Sequence, residues 1–207
     1  MLGSELTLNL VVLRFLAGLI IALVHGLALA ATAVLLGDRG PRYDGRLTLN
    51  PLPHVDLLGL CAIMATGFGW GRPVAIEAAQ LRPGRWGLVI AVLAGSAALL
   101  LVGYLLPLLV LPALSLLPYT AGLTVAAFLR VAARLCVWMA LFSLLPLPPL
   151  AGAHLLAALG IRLPKLAGPL LGLALALLAL LGVIRALLLP LYGLVAPLLL
   201  GPELAVG

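Results

Sequence analysis

Charge is what this sequence has least of. Only 9% of its 207 residues are Asp, Glu, Lys or Arg, with six acids and a single lysine, Lys165. A soluble domain carries about 25% charged residues. A chain of this size without them cannot cover its own surface, which excludes an ordinary water-soluble enzyme. Aromatic residues are also scarce, at 5%, and no basic stripe is interleaved with them. The formal net charge of +6 is therefore no sign of nucleic-acid binding. Cysteine occurs twice, at Cys61 and Cys136, both in apolar stretches. Two such residues make neither a disulfide framework nor a zinc spacing, and both are expected to be small buried hydrophobes. What the chain does have is hydrocarbon: 65% hydrophobic residues and a mean hydropathy of +1.31. The composition is that of an integral membrane protein. The opening "MLGSELTLNL" has no basic n-region, so no cleaved signal is expected and the first helix is retained.

The fold class expected is all-α, a polytopic transmembrane bundle of five to six membrane segments in one domain, 1–207. Spanning helices are read over 8–36, 88–106, 120–145 and 167–189. Residues 57–69 are apolar but would reach only about 20 Å as a helix, short of a ~30 Å hydrocarbon core, so this piece is expected to be re-entrant or packed within the bundle. The stretch 107–119, with Pro107, Pro112 and Pro118, suits a kinked or interfacial connection. Residues 191–200 read as a short apolar tail piece, and "RLTLN" (46–50) alternates as a short strand would. Three loops are basic: Arg39, Arg42 and Arg46; Arg72, Arg82 and Arg85; Arg162 and Lys165. The stretch 107–119 has no charge. Positive-inside logic places the basic loops in the cytoplasm, provided that 57–69 enters and returns on one face. Leu-, Ala- and Arg-rich usage points to a GC-rich bacterium and its cytoplasmic membrane.

Five stretches carry more than composition. They are "HGLAL" (25–29), "GRLTLNPLPHVDLLG" (45–59), "GWGRPV" (69–74), "LAGSAA" (93–98) and "SLLPLPPLAG" (143–152). In this order and spacing the chain resembles the site-2 protease family of intramembrane zinc metalloproteases, in its short bacterial form. The family carries H-E-x-x-H, then G-R-x-T-L-N-P-x-x-H-x-D, G-W-x-K-P-V, A-G-P and N-L-L-P-x-P-P-L-D-G. The resemblance covers about 20–155, leaving extra C-terminal helices over 166–202.

H-E-x-x-H works because residues i and i+4 share a helix face and grip one zinc, with the Glu as general base on the bound water. In the family a third ligand comes from the Asp of L-D-G. Here His25 keeps the first ligand position. The base is replaced by Gly26, the second His by Leu29 and the Asp by Ala151. The Asn of N-L-L-P is Ser143 and the Pro of A-G-P is Ser96. The departures cluster on the catalytic positions while the scaffold motifs stay, so no catalytic residue and no cofactor is expected.

Alternatives stay open. His25, His54, Asp56 and His154 are the chain's one set of plausible ligand types and would hold zinc only if the site were rebuilt from them. In that case the chain is a metalloprotease with an altered metal site. His25 or His154 is also the axial ligand that a cofactor or pigment binder would need. Asn50, Pro51 and Asp56 shape a loop and cap the next helix; alternatively, Asn50 and Pro51 border a groove with Ser143, Pro146, Pro148 and Pro149 for a partner or substrate segment. Arg130 and Arg134 lie four apart in one helix and read as buried charge, balanced by an internal acid, a lipid phosphate or an acidic ligand. The partners expected are other integral membrane subunits or transmembrane segments, and lipid. The function expected is that of a non-catalytic scaffold or accessory subunit of a membrane complex.

Overall fold

A computed structural model describes residues 7–161 and 167–201. Arg162 and Lys165, read above as a basic loop, lie outside the described residues, as do both ends of the chain. The described residues are helical: α1 (Leu8–Leu36), α2 (Gly40–Tyr43), α3 (Leu57–Thr66), α4 (Arg85–Leu108), α5 (Val110–Leu116), α6 (Tyr119–Ser143), α7 (Ala153–Ala158), α8 (Ala167–Leu180) and α9 (Val183–Leu200). The fold is a helical membrane bundle. Four segments are long and apolar enough to span a bilayer: α1, α4 running on through α5, α6 and α9. The 29 residues of α1 reach about 44 Å, so it crosses a ~30 Å core with tilt.

The centre of the bundle is α4 against α1 and α6. Small residues let these backbones approach: Ala17, Gly18, Ala22, Gly26, Ala30 and Ala33 of α1 are buried. Phe68 fills the core edge-on to Trp138 and Phe142, with ring centroids 5.4 and 5.5 Å apart.

The short segment behaves as its length requires. Asp56 caps α3, its carboxylate accepting from the Gly59 N–H at 2.8 Å. After ten helical residues Gly67 ends the helix, and the chain turns back until Gly71 pairs with Val55. The Arg72 N–H donates to the His54 carbonyl at 2.8 Å. Entry and exit thus lie side by side, and α3 dips into the bundle and returns.

Several expectations are corrected. The span read over 167–189 is two helices, because Gly182, at φ +76°, breaks the chain between α8 and α9. The tail piece 191–200 is the second half of α9. The 107–119 connection, by contrast, is kinked as expected, with Pro107 inside α4 and α5 packed on α6 through Val110, Ala113, Ala126 and Leu129. "RLTLN" forms no strand. Cys61 is exposed, because Leu60, Ala62 and Ile63 carry the buried face of α3; Cys136 is buried. Arg130 is exposed and Arg134 half-buried: Ala126, Leu129 and Ala133 take the packed face of α6, and Arg130 lies to one side of it.

Arg46 is also not the solvated loop charge it resembles. It is 6% exposed. Its guanidinium donates to the carbonyls of Pro53 at 2.6 Å, Arg72 at 3.3 Å and Pro73 at 2.7 Å, tying the 46–54 loop to the chain returning from α3. Burial first, then repulsion from Arg72, lowers its pKa from the usual arginine value, against the pull of Asp44. Arg46→Ala leaves these carbonyls without their charged donor, and a loss on the order of 3 kcal/mol is expected in reversible unfolding. Asp38 ties down the next loop, accepting from the N–H groups of Gly40 and Glu77, both at 2.8 Å.

Candidate active site

All three histidines line one cavity of about 50 Å³ at the crossing of α1, α4 and α6. His25, Gly26 and Leu29 come from α1. His54 follows from a single 3-10 turn, Leu52–His54, and Ser143, Pro149, Ala151 and His154 close the far side. The positions where the motif departs from a metalloprotease therefore share one chamber. Ser96 stands behind it: its hydroxyl lies 3.0 Å from that of Ser143, which also donates to the Ala140 carbonyl at 2.9 Å. Two replaced motif positions have become one buried hydrogen bond between α4 and α6.

His54 is fully buried. Its Nε2 lies 3.2 Å from the Thr48 carbonyl, which can only accept, so Nε2 carries the proton and Nδ1 a bare lone pair. That Nδ1 has no partner, and it faces Gly26: a Cβ on residue 26 would stand 2.6 Å from it. The His54 ring occupies the room that a general base at position 26 would need. His25 Nε2 is likewise buried without a partner and lies against Gly95, where a Cβ would stand 3.0 Å away. His154 donates from Nε2 to the Val74 carbonyl at 3.0 Å.

These residues do not fit zinc. A zinc site needs three or four ligand atoms converging at about 2.0–2.3 Å. Among the described residues no group of three His, Cys, Asp or Glu side chains is placed to hold a metal ion. Among the described residues no carboxylate lines the cavity, and Asp56 is committed to capping α3. A volume of about 50 Å³ holds roughly four waters.

Of the groove residues, Ser143 and Pro149 line the cavity. Pro146 is exposed, Pro148 is half-buried, and neither lines it. Asn50 and Pro51 also lie apart from it; the Asn50 side chain accepts from the Leu52 N–H at 3.0 Å and so shapes the loop. The wall at Trp70, Met139 and Leu150 escaped the sequence reading, because nothing distinguishes these from core residues until the helices are packed. Trp70 and Pro149 both meet α8 at Gly172.

His54 and His154 lie outside the spanning helices. Burial chiefly pushes His54 below the ordinary imidazole value of 6.5, against the upward pull of its bond to Thr48, and the Arg46 charge adds a smaller downward push. Burial lowers His154 in the same way, against its bond to Val74. Below pH 6.5 the unfolded chain thus binds protons that these folded imidazoles refuse, so stability falls with pH. Their contribution is complete above about pH 6.5 and is lost as pH drops through the depressed folded values. The melting temperature in detergent is expected to fall across this window, and a His54→Gln, His154→Gln variant to show a flatter profile. Equal slopes would mean that both rings are open to solvent.

The sequence is 34% identical to the Bacillus subtilis (strain 168) protein named "Putative zinc metalloprotease YwhC", over 138 aligned residues covering 64% of this chain and 62% of that protein. This similarity is consistent with the site-2-protease resemblance of the motifs. It spans 62% of the length of that relative. No family model and no solved structure matches it.

Proposed function

We propose that this site-2-protease-like chain is a non-catalytic member of a bacterial cytoplasmic-membrane complex, multi-pass, which binds a transmembrane segment of a partner subunit as a scaffold or accessory protein. The observation that carries this reading is the His54 ring against Gly26: the base is missing and its space is filled. The Ser96–Ser143 bond supports it, since it re-uses two replaced motif positions for packing. The test is the composition of the particle purified gently from native membranes, with every subunit and metal counted. A fixed partner and no zinc are expected. A solitary chain with about one zinc would overturn the reading.

One observation favours a metalloprotease with an altered metal site. His25 Nε2 and His54 Nδ1 are both buried, unpartnered and on the same cavity. Zinc that vanishes from a His25→Ala, His54→Ala variant is the result that this reading requires.

A further inference from the structure

His25 Nε2 and His54 Nδ1 are both buried and without a hydrogen-bond partner among the described residues, and both rings line the cavity of about 50 Å³. A buried ring nitrogen left bare forfeits a bond that water would supply, and two of them on one small chamber call for a shared ligand. Each nitrogen faces a glycine. A Cβ would stand 2.6 Å from His54 Nδ1 at Gly26 and 3.0 Å from His25 Nε2 at Gly95, so no side-chain carbon of either residue stands against these nitrogens. The His54 ring is also held as a ligand would be. Its Nε2–H donates to the Thr48 carbonyl at 3.2 Å, which fixes the tautomer with the lone pair on Nδ1. A ring N–H held by a backbone carbonyl is the usual support of a metal-ligating histidine. A third soft donor stands on the wall: Met139 of α6, a buried thioether.

We infer that this chamber binds a soft monovalent metal ion of the copper(I) type, ligated by His25 Nε2 and His54 Nδ1 with the Met139 thioether beside them. The donor set decides the class of ion. A thioether selects copper(I) and imidazole suits it, whereas magnesium and calcium take oxygen donors and zinc takes thiolate, imidazole and carboxylate in sets of four. All three donors are neutral. The cost of burying an ion grows with the square of its charge, so neutral donors at membrane depth favour the single charge of copper(I) over the two of zinc. Copper(I) also accepts fewer ligands than the four of a zinc site. Silver(I) shares this chemistry. The inference concerns ion binding alone, and its failure leaves the partner reading above standing.

The test uses the full chain in mild detergent, stripped of metal, on a Cys61→Ser, Cys136→Ala background so that no thiol competes for the ion. Silver(I) in chloride-free buffer is added alone or against excess zinc(II). Metal content after gel filtration is read together with the melting temperature, and copper(I) under anaerobic reductant repeats the measurement. About one silver or copper(I) ion per chain is expected, held against zinc, with a raised melting temperature. His25→Gln and His54→Gln should each weaken retention at least about tenfold, since even the group that supports a ligating histidine is worth that much. Met139→Leu should weaken it to a lesser degree, and Met64→Leu, in the last turn of α3, should leave it unchanged. Retention that survives both histidine changes, or falls equally with Met64→Leu, overturns the proposal. So does thiol-free protein with all its histidines that keeps no silver or prefers zinc, a result that needs no histidine variant to fold.

Discussion

Gly26→Ala is expected to destabilise the protein by about 1–2 kcal/mol net, although alanine is the better helix former. Helix propensity favours alanine over glycine by about 1 kcal/mol. Against it stands the His54 ring, with Nδ1 2.6 Å, Cγ 3.3 Å and Cβ 3.4 Å from where the new methyl would sit. These atoms are at the root of the side chain and cannot swing aside. The ring is pinned at Nε2 by Thr48, and its backbone carbonyl by Arg72. Overpacking of this kind costs about 1–3 kcal/mol, and more where the neighbour cannot relax. Reversible unfolding in micelles would measure the change. A double-mutant cycle with His54→Ala isolates the contact: the methyl's penalty should vanish once the ring is gone, giving a coupling of about 0.5–3 kcal/mol. Strict additivity would show that the ring does not face α1. Gly26→Glu should be worse than Gly26→Ala, because it drives a carboxylate against an unprotonated nitrogen in a dry site. The base cannot be put back by one substitution.

How far the sequence discloses this molecule depends on the kind of signal. The helical membrane bundle and the dip of α3 were legible because bilayer thickness sets lengths and a ten-residue helix cannot span. The break at Gly182 was not, because "LALLGVIRALL" is as apolar as a continuous helix and the left-handed turn is a backbone property. At the site, the motif positions Gly26, Leu29, Ala151 and Ser143 could be paired with their roles one by one, and the fold places them together. What no periodicity discloses is the reach of one loop into another element. His54 over Gly26, Arg46 across three carbonyls and Ser96 on Ser143 depend on tertiary placement. Arg46 shows the difficulty most plainly, since an arginine in a turn-rich loop reads as solvated until the carbonyls around it are seen.

The larger effect is expected from putting ligands back. His25 and Leu29 are one helical turn apart and line the same cavity, and Ala151 lines it from across the chamber. Leu29→His with Ala151→Asp would add an imidazole and a carboxylate to the surviving His25, the ligand set of an open tetrahedral site. The double variant is expected to retain about one zinc per chain and to melt higher with metal than without. The wild type and each single variant should retain far less, because two ligands in a mostly apolar chamber do not offset the cost of dehydrating the ion. Binding should come without peptide hydrolysis, since Gly26 still supplies no proton acceptor. Metal content after gel filtration, with a protease assay on the same fractions, reads both at once. Zinc without hydrolysis would separate the loss of ligands from the loss of the base. A double variant with no more zinc than the wild type would mean that positions 25, 29 and 151 share a wall of the cavity without pointing to a common centre.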